Sequence, residues 1–195
     1  MFPMSRVLFG MILAVVLTPF AVAAWFMYGK VPVAVADKPF PFEGQIVGIP
    51  LHARIDREMI GNPPILVDER NLLAGAHIYA EKCAFCHGLH EKPAAMGASM
   101  YPDAPQLWEK HPNGDVVGVS DDPPGETYWK VANGIRLTGM PAFKSQLTDT
   151  EMWQVTLLMA NANKPLPPAA LGILRGSPAP VAPVAAAHNA PAPGK

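Results

Sequence analysis

Cysteine and charge are both scarce in this chain of 195 residues, which has 2 cysteines and 16% charged residues. Two thiols exclude a domain held together by several disulfides, and they exclude a zinc site with four thiolate ligands. The formal net charge of −1 excludes a strong basic field, so the sequence predicts no nucleic-acid partner. Hydrophobic residues make up 50% of the chain, which is enough to build a folded core.

Proline, in contrast, is abundant, with 23 residues where the usual ~5% would give about ten. The prolines and the hydropathy pattern divide the chain into four predicted parts. These are an apolar segment at 1–28, a proline-rich linker at 29–67, a compact domain at 68–163 and a tail at 164–195. The linker is expected to be irregular, with one short helical turn around Ile55–Met59.

The apolar segment is long enough to cross a membrane. Residues 7–28 carry no charged side chain, and a membrane-spanning helix needs ~20 apolar residues. Trp25 and Tyr28 stand at its outer end, where interfacial aromatic residues belong. The alternative is a secretory signal that is cleaved after Ala21-Val22-Ala23. Both interpretations carry the domain across the cytoplasmic membrane, so we expect it in the periplasm, either anchored to the lipid bilayer or soluble after cleavage.

The tail at 164–195 is rich in proline and alanine and has no acidic residue. Such a composition buries too little apolar area to offset the entropy lost on ordering. We therefore predict a disordered tail, extended from about Leu174 onward.

The domain at 68–163 is predicted to be mainly α-helical. Apolar residues at spacings of three and four predict a first helix at Arg70–Lys82. A second helix is plausible at Gly125–Asn133. The third is expected to begin at the capping-box pair Thr148 and Glu151 and to end near Ala160. No stretch alternates with a period of two residues, so no substantial sheet is expected.

The run Cys83-Ala84-Phe85-Cys86-His87 has the C-x-x-C-H pattern of c-type haem attachment. Cysteines three residues apart project from the same side of a helical turn, so both thiols can add to the vinyl groups of one porphyrin edge. His87 follows directly and can bind the iron. The motif predicts one covalent haem c, with a dithiol redox site, a strained disulfide and a zinc site as the alternatives.

Met140 is the expected second iron ligand. Gly139 before it lets the backbone approach a flat group closely, and Pro141 after it stiffens the loop. A rigid loop favours binding by a weak thioether ligand. The alternatives are that Met140 is a core residue, or that Met96 or Met100 is the ligand.

Further expectations concern the surroundings of the haem. A bis-histidine haem that uses His111 is another possible ligand set, and Arg136 is a candidate partner for a propionate. The ring nitrogen of His87 that faces away from the iron should donate to a backbone carbonyl within 93–105. Three tryptophans are expected in the haem pocket or the core: Trp108, Trp129 and Trp153.

Three patterns in the central region are most informative when they are taken together. They are Gly75 and Tyr79 before Cys83-x-x-Cys86-His87-Gly88, the run Asn133-Gly134-Ile135-Arg136-x-Thr138-Gly139-Met140-Pro141-Ala142-Phe143, and Trp153 in the last helix. Together they resemble a class I monohaem cytochrome c domain of the membrane-tethered bacterial type, over 68–163. The resemblance implies that the first and last helices cross beside Gly75 and Tyr79, and that His87 and Met140 are the axial ligands.

Histidine and methionine ligands would raise the reduction potential and fill both axial positions of the iron, which favours electron transfer over catalysis. The expected role is a single-electron carrier of a respiratory-type chain, with membrane redox complexes as donor and acceptor. The alternatives are a haem-bearing subunit of a larger oxidoreductase complex and a peroxidase-like or ligand-sensing haem protein. The domain has 7 basic and 12 acidic residues, so a partner that docks by electrostatics would offer a basic face.

Overall fold

The computed structural model describes residues 4–112 and 114–176, and this part of the chain is helical. Its helices are α1 (Met4–Tyr28), α2 (Glu43–Glu58), α3 (Glu69–Ile78), a π-helical turn (Tyr79–Cys83), α4 (Ala84–His87), a 3₁₀ turn (Gly97–Ser99), α5 (Pro124–Asn133), α6 (Asp149–Ala160) and α7 (Pro168–Leu174). The described residues form no strand and only two isolated bridges. The prediction of a mainly helical protein is confirmed.

The chain divides into two compact units, one up to Ile49 and one from Pro50 onward. The first unit contains α1, a helix of 25 residues with Pro19 inside it. In the part of the chain that the structure describes, α1 is the one helix long and apolar enough to cross a membrane. A secretory signal has the same properties, so the anchor and the cleaved signal both stay predictions for 1–28.

The expectation of an irregular linker at 29–67 is wrong over α2. This helix has 16 residues, where we expected a single turn around Ile55–Met59. Pro50 inside it explains the error, because a proline within a helix costs about 3 kcal/mol. Two contacts of the second half of α2 offset this cost. Ile55 is buried, and the carboxylate of Glu58 accepts a hydrogen bond from the Trp129 indole at 2.9 Å.

The first predicted helix of the domain, Arg70–Lys82, forms as α3 and the π-helical turn, and α4 extends it beyond the predicted end. Asp68 caps α3 by accepting a hydrogen bond from the Asn71 amide at 2.8 Å. The helix then continues through the π-helical turn Tyr79–Cys83 and through α4, which ends at His87. A π turn contains one more residue than an α turn, and such turns often occur at functional sites. Here the turn ends at Cys83, the first cysteine of the attachment motif, and changes the angular positions of the residues that follow.

Helices α3 and α6 cross at Gly75, as the resemblance implied. A Cβ atom on Gly75 would collide with the backbone carbonyl of Gln154 in α6, so only glycine allows this close approach. Tyr79 and Leu158 are fully buried near the crossing. α5 packs against α6 as well, and the rings of Tyr128 and Trp153 stack with their centroids 4.3 Å apart.

The other two predicted helices are confirmed to within one residue. α5 begins at Pro124, one residue before the predicted start, and ends at Asn133 as expected. α6 follows the predicted capping box, in which the Thr148 amide donates to the Glu151 carboxylate at 2.7 Å. The Glu151 amide in turn donates to the Thr148 hydroxyl at 3.3 Å.

The expectation of a disordered tail at 164–195 is wrong over α7. Ala170 and Leu174 of this helix are fully buried, and α7 packs against α3. The proline-rich composition concealed a short apolar run that begins after Pro167 and can bury one face. Residues 177–195 lie outside the described part of the chain, so the expectation for them stays a prediction.

Candidate haem-binding site

A largely apolar cleft in the second unit brings together the four predicted site residues. Cys83, Cys86, His87 and Met140 all line it, although Met140 is far from the other three in the sequence. The cleft holds about 1100 Å³ of space free of protein atoms, including its mouth, which opens to solvent. Cofactor clefts are mostly apolar, as this one is, so it suits a large apolar group.

His87 is held in the orientation that a metal ligand needs. Its Nδ1 atom lies 2.8 Å from the carbonyl oxygen of Pro105, which can only accept a hydrogen bond. Nδ1 therefore carries the proton, and Nε2 is left for a metal. Burial lowers the pKa of His87, and the bond to Pro105 opposes that effect only in part. We predicted that this nitrogen would donate to a backbone carbonyl within 93–105. The prediction is confirmed, since the carbonyl belongs to Pro105, the last residue of that range.

The two cysteines lie half-buried in the cleft, at the end of the π-helical turn and in α4. Burial, with a smaller contribution from Cys86, raises the pKa of the Cys83 thiol to about 12. Cys83 therefore carries its proton at neutral pH. In residues 4–112 and 114–176, no three His, Cys, Asp or Glu side chains cluster as metal ligands, so the zinc alternative lacks a ligand set there.

The loop that carries Met140 is fixed by internal hydrogen bonds. The Met140 amide donates to the Thr138 hydroxyl at 3.1 Å, and that hydroxyl donates to the Ile135 carbonyl at 2.7 Å. The Ile135 amide donates back to the Met140 carbonyl at 3.3 Å. Gly134 begins the loop at a φ of +65°, and Leu137 has the same φ with 81% of its surface exposed. The loop therefore presents the thioether from a defined backbone, as expected from the sequence.

The alternative iron ligands differ in whether they line the cleft. Met100 lines the same cleft, and its sulfur lies 2.8 Å from the position that a Cβ atom on Gly139 would occupy. Met96 and His111 are exposed, and neither lines the cleft. Met100 is thus the rival thioether that an experiment has to distinguish from Met140.

Lys130 is a residue of the cleft wall that sequence reasoning missed. It is half-buried on α5 and pairs with Glu126 at 2.6 Å and Asp122 at 3.2 Å. Burial acts to lower the pKa of Lys130, but the hydrogen bond with Glu126 and the two carboxylate charges outweigh it, so the pKa is raised. Glu126 and Lys130 are four residues apart, which was the only signal in the sequence. Arg136 is exposed and does not line the cleft, so its pairing with a propionate stays a prediction.

The three predicted tryptophans, Trp108, Trp129 and Trp153, are all buried, and none of them lines the cleft. They are core residues here. Trp108 contacts the cleft residue Tyr79 edge to face, with ring centroids 5.6 Å apart. The wall of the cleft is built instead by smaller apolar residues, among them Val131 and Phe143.

These residues fit a c-type haem. Two thiols three residues apart open onto an apolar cleft, an oriented neutral imidazole follows them, and a thioether on a rigid loop lines the same cleft. Residues 70–159 match the family model described as cytochrome c oxidase, cbb3-type, subunit III. Neither the curated proteins nor the solved structures contain a match to the chain. Residues 70–159 therefore form a c-type cytochrome domain, which binds haem covalently and transfers electrons.

Proposed function

We propose that the protein is a single-electron carrier with one haem c, attached at Cys83 and Cys86 and ligated by His87 and Met140. We further propose that it works on the periplasmic side of the cytoplasmic membrane, tethered by α1, in a respiratory-type chain. The observation that carries the proposal is that all four residues line one apolar cleft. The chain has one C-x-x-C-H motif and 2 cysteines, which supports a single haem.

Each residue has a distinct task in this proposal. The haem supplies the reversible one-electron couple of its iron. His87 holds its Nε2 atom toward the metal because Pro105 fixes the other ring nitrogen. Met140 would supply the second protein ligand of the iron from a hydrogen-bonded loop. With both positions taken by the chain, small ligands are excluded and little rearranges when an electron moves.

The attachment is tested on the membrane fraction of cells that express the full chain. A pyridine haemochrome spectrum of the c type and an intact mass raised by one haem are expected. Cys83→Ser and Cys86→Ser should each weaken the attachment by one thioether bond, and the double variant should lose covalent haem altogether. A colourless protein with the mass of the bare polypeptide would overturn the proposal.

The axial ligand is tested by replacing the two thioethers of the cleft in turn. Met140→Ala should remove the weak band at the red end of the ferric spectrum that reports iron–methionine bonding. It should also lower the reduction potential by on the order of 0.1 V, a small part of the ~0.8 V that axial ligands control. Met100→Ala should keep the band. The opposite pattern would assign the ligand to Met100, and rapid carbon monoxide binding by the unaltered protein would favour a ligand-sensing or peroxidase-like haem.

A second candidate function is supported by the family match. The matched model is described as a subunit of a cytochrome c oxidase, so the chain could be a fixed haem subunit of a membrane oxidoreductase complex. Purification from membranes in a mild detergent distinguishes the two functions. A free carrier elutes alone, whereas a complex subunit elutes in constant stoichiometry with its partners.

A further inference from the structure

The segment 104–107 passes directly behind His87 and contacts the attachment motif at three points. The Pro105 carbonyl accepts from His87 Nδ1 at 2.8 Å, and the Leu107 amide donates to the His87 carbonyl at 3.2 Å. The third contact is made by a side chain: Nε2 of Gln106 donates to the Cys86 carbonyl at 3.3 Å. The segment thus holds both the backbone and the ring of the proposed iron ligand.

The Gln106 side chain also connects this segment to another part of the loop region, at Ala94. Its Oε1 atom accepts a hydrogen bond from the Ala94 amide at 2.7 Å. Its Nε2 atom lies 3.2 Å from the Ala104 carbonyl, in addition to its contact with Cys86. One half-buried amide group therefore joins its own segment to the backbone at Cys86 and at Ala94, using both its donor and its acceptor.

Two glycines leave room for this amide. A Cβ atom on Gly88 would lie 2.6 Å from Oε1 of Gln106, and one on Gly97 would lie 2.8 Å from Nε2. Gly88 also has a φ of +74°, which favours glycine. The Gln106 amide thus packs against two backbone positions that carry no side chain, and the Cys86 carbonyl oxygen to which it donates also lies against Gly97.

We propose that Gln106 is a positioning residue that holds the Pro105 carbonyl in line with Nδ1 of His87. The physical reason is that the Pro105 carbonyl and the Gln106 nitrogen belong to one planar peptide group. The hydrogen bonds of the Gln106 side chain to Cys86 and Ala94 hold Gln106 in place. The peptide plane that ends at its backbone nitrogen, which includes the Pro105 carbonyl, is therefore held as well. This inference rests on the proposed function, because it takes His87 to be the iron ligand.

The test measures the Nδ1–H proton of His87 by NMR in the reduced, haem-loaded full chain. Gln106→Leu removes both arms of the amide, and Gln106→Glu removes the donor to Cys86 while keeping an acceptor for the Ala94 amide. Exchange of the Nδ1–H proton with solvent should become faster in both variants, by roughly fivefold for each hydrogen bond of typical strength that the variant loses. The exposed Gln146 supplies the control, and Gln146→Leu should leave the rate unchanged.

Hydrogen exchange of the backbone amides of α6 distinguishes a local effect at His87 from a general loss of stability. If they exchange faster in parallel with His87, or if Nδ1–H exchange is unchanged in the Gln106 variants, Gln106 is not a positioning residue. If the wild type shows no resonances of an iron-bound His87, the ligand assignment and this inference both fail. If those resonances are present and do not respond to the Gln106 variants, this inference fails while the proposed function stands. Should Gln106→Leu not fold, Gln106→Glu still decides the matter.

Discussion

At the scale of single residues, the bond between Glu58 and Trp129 joins α2 to the haem domain. The Glu58 carboxylate accepts from the Trp129 indole and pairs with Arg54, each at 2.9 Å. The indole bond, followed by the Arg54 bond, lowers the pKa of Glu58 below its ordinary value of 4.5. A carboxyl group whose pKa is depressed on folding stabilises the fold above its unfolded pKa, and this contribution is lost as the pH falls through the folded pKa.

A prediction about pH follows from this bond. Glu58→Gln removes the charge and keeps an acceptor, so the wild type should be more stable than the variant at pH 6. This difference should be smaller at pH 3, because the contribution of the charged carboxylate is lost as the pH falls through the lowered pKa of Glu58. Thermal unfolding of both proteins at the two pH values measures it, with the exposed Glu109→Gln as a control that shows no such trend. A pH-independent difference would contradict the assignment.

The site residues differ in how far the sequence reveals them. Cys83, Cys86 and His87 are recognisable because their chemistry depends on spacing within one turn. Met140 is recognisable because its neighbours restrict the backbone. Gln106, in contrast, acts only through the segments that the fold brings around it, and no local pattern marks such a residue.

At the scale of helices, the crossing of α3 and α6 makes a specific prediction about glycine. Gly75→Ala should destabilise the protein by about 2 kcal/mol or more, because the added methyl group collides with the backbone of Gln154 and overrides the gain of ~1 kcal/mol in helix propensity. Gly172 in α7 is the matched control, since a Cβ atom there meets nothing within 4 Å. Gly172→Ala should stabilise by up to about 1 kcal/mol. Denaturant unfolding of the two variants measures both effects. Changes of the same sign in the unfolding free energy would contradict the close crossing at Gly75.

The burial of α7 makes a second prediction at this scale. Leu174 is fully buried, so Leu174→Ala should cost about 2–5 kcal/mol in unfolding free energy. Leu137→Ala removes the same atoms from a side chain that is 81% exposed, and its cost should stay below about 0.5 kcal/mol. Thermal or denaturant unfolding compares the two variants. A Leu174→Ala variant as stable as Leu137→Ala would show that α7 does not contribute to the core.

The helices that the sequence predicted well are those with strong local signals. The capping box at Thr148 located the start of α6, and apolar spacing located α3. α2 and α7 were missed because proline-rich composition indicated irregular chain around them. Their stability comes from contacts with distant residues, such as Trp129 for α2, and a composition window contains no information on such contacts.

At the scale of the whole molecule, retention or cleavage of α1 decides whether the cytochrome domain stays attached to a membrane. We expect the mature protein to retain residues 1–28 and to fractionate with membranes, because α1 is long and apolar enough to span a bilayer. Intact-mass measurement of the purified protein checks this prediction. A mature chain that begins after Ala23 and appears in the soluble periplasmic fraction would show instead that the segment is a cleaved signal.

The packing of α7 also has a consequence for the order of events while the chain is being synthesised. The carbonyl of Leu174 accepts from the His90 amide at 3.0 Å, and the Lys92 ammonium donates to the Arg175 carbonyl at 3.0 Å. The residues just after the attachment motif thus receive these last contacts only when the chain has emerged as far as residue 175. Until then the segment that follows the attachment motif lacks these two hydrogen bonds to Leu174 and Arg175.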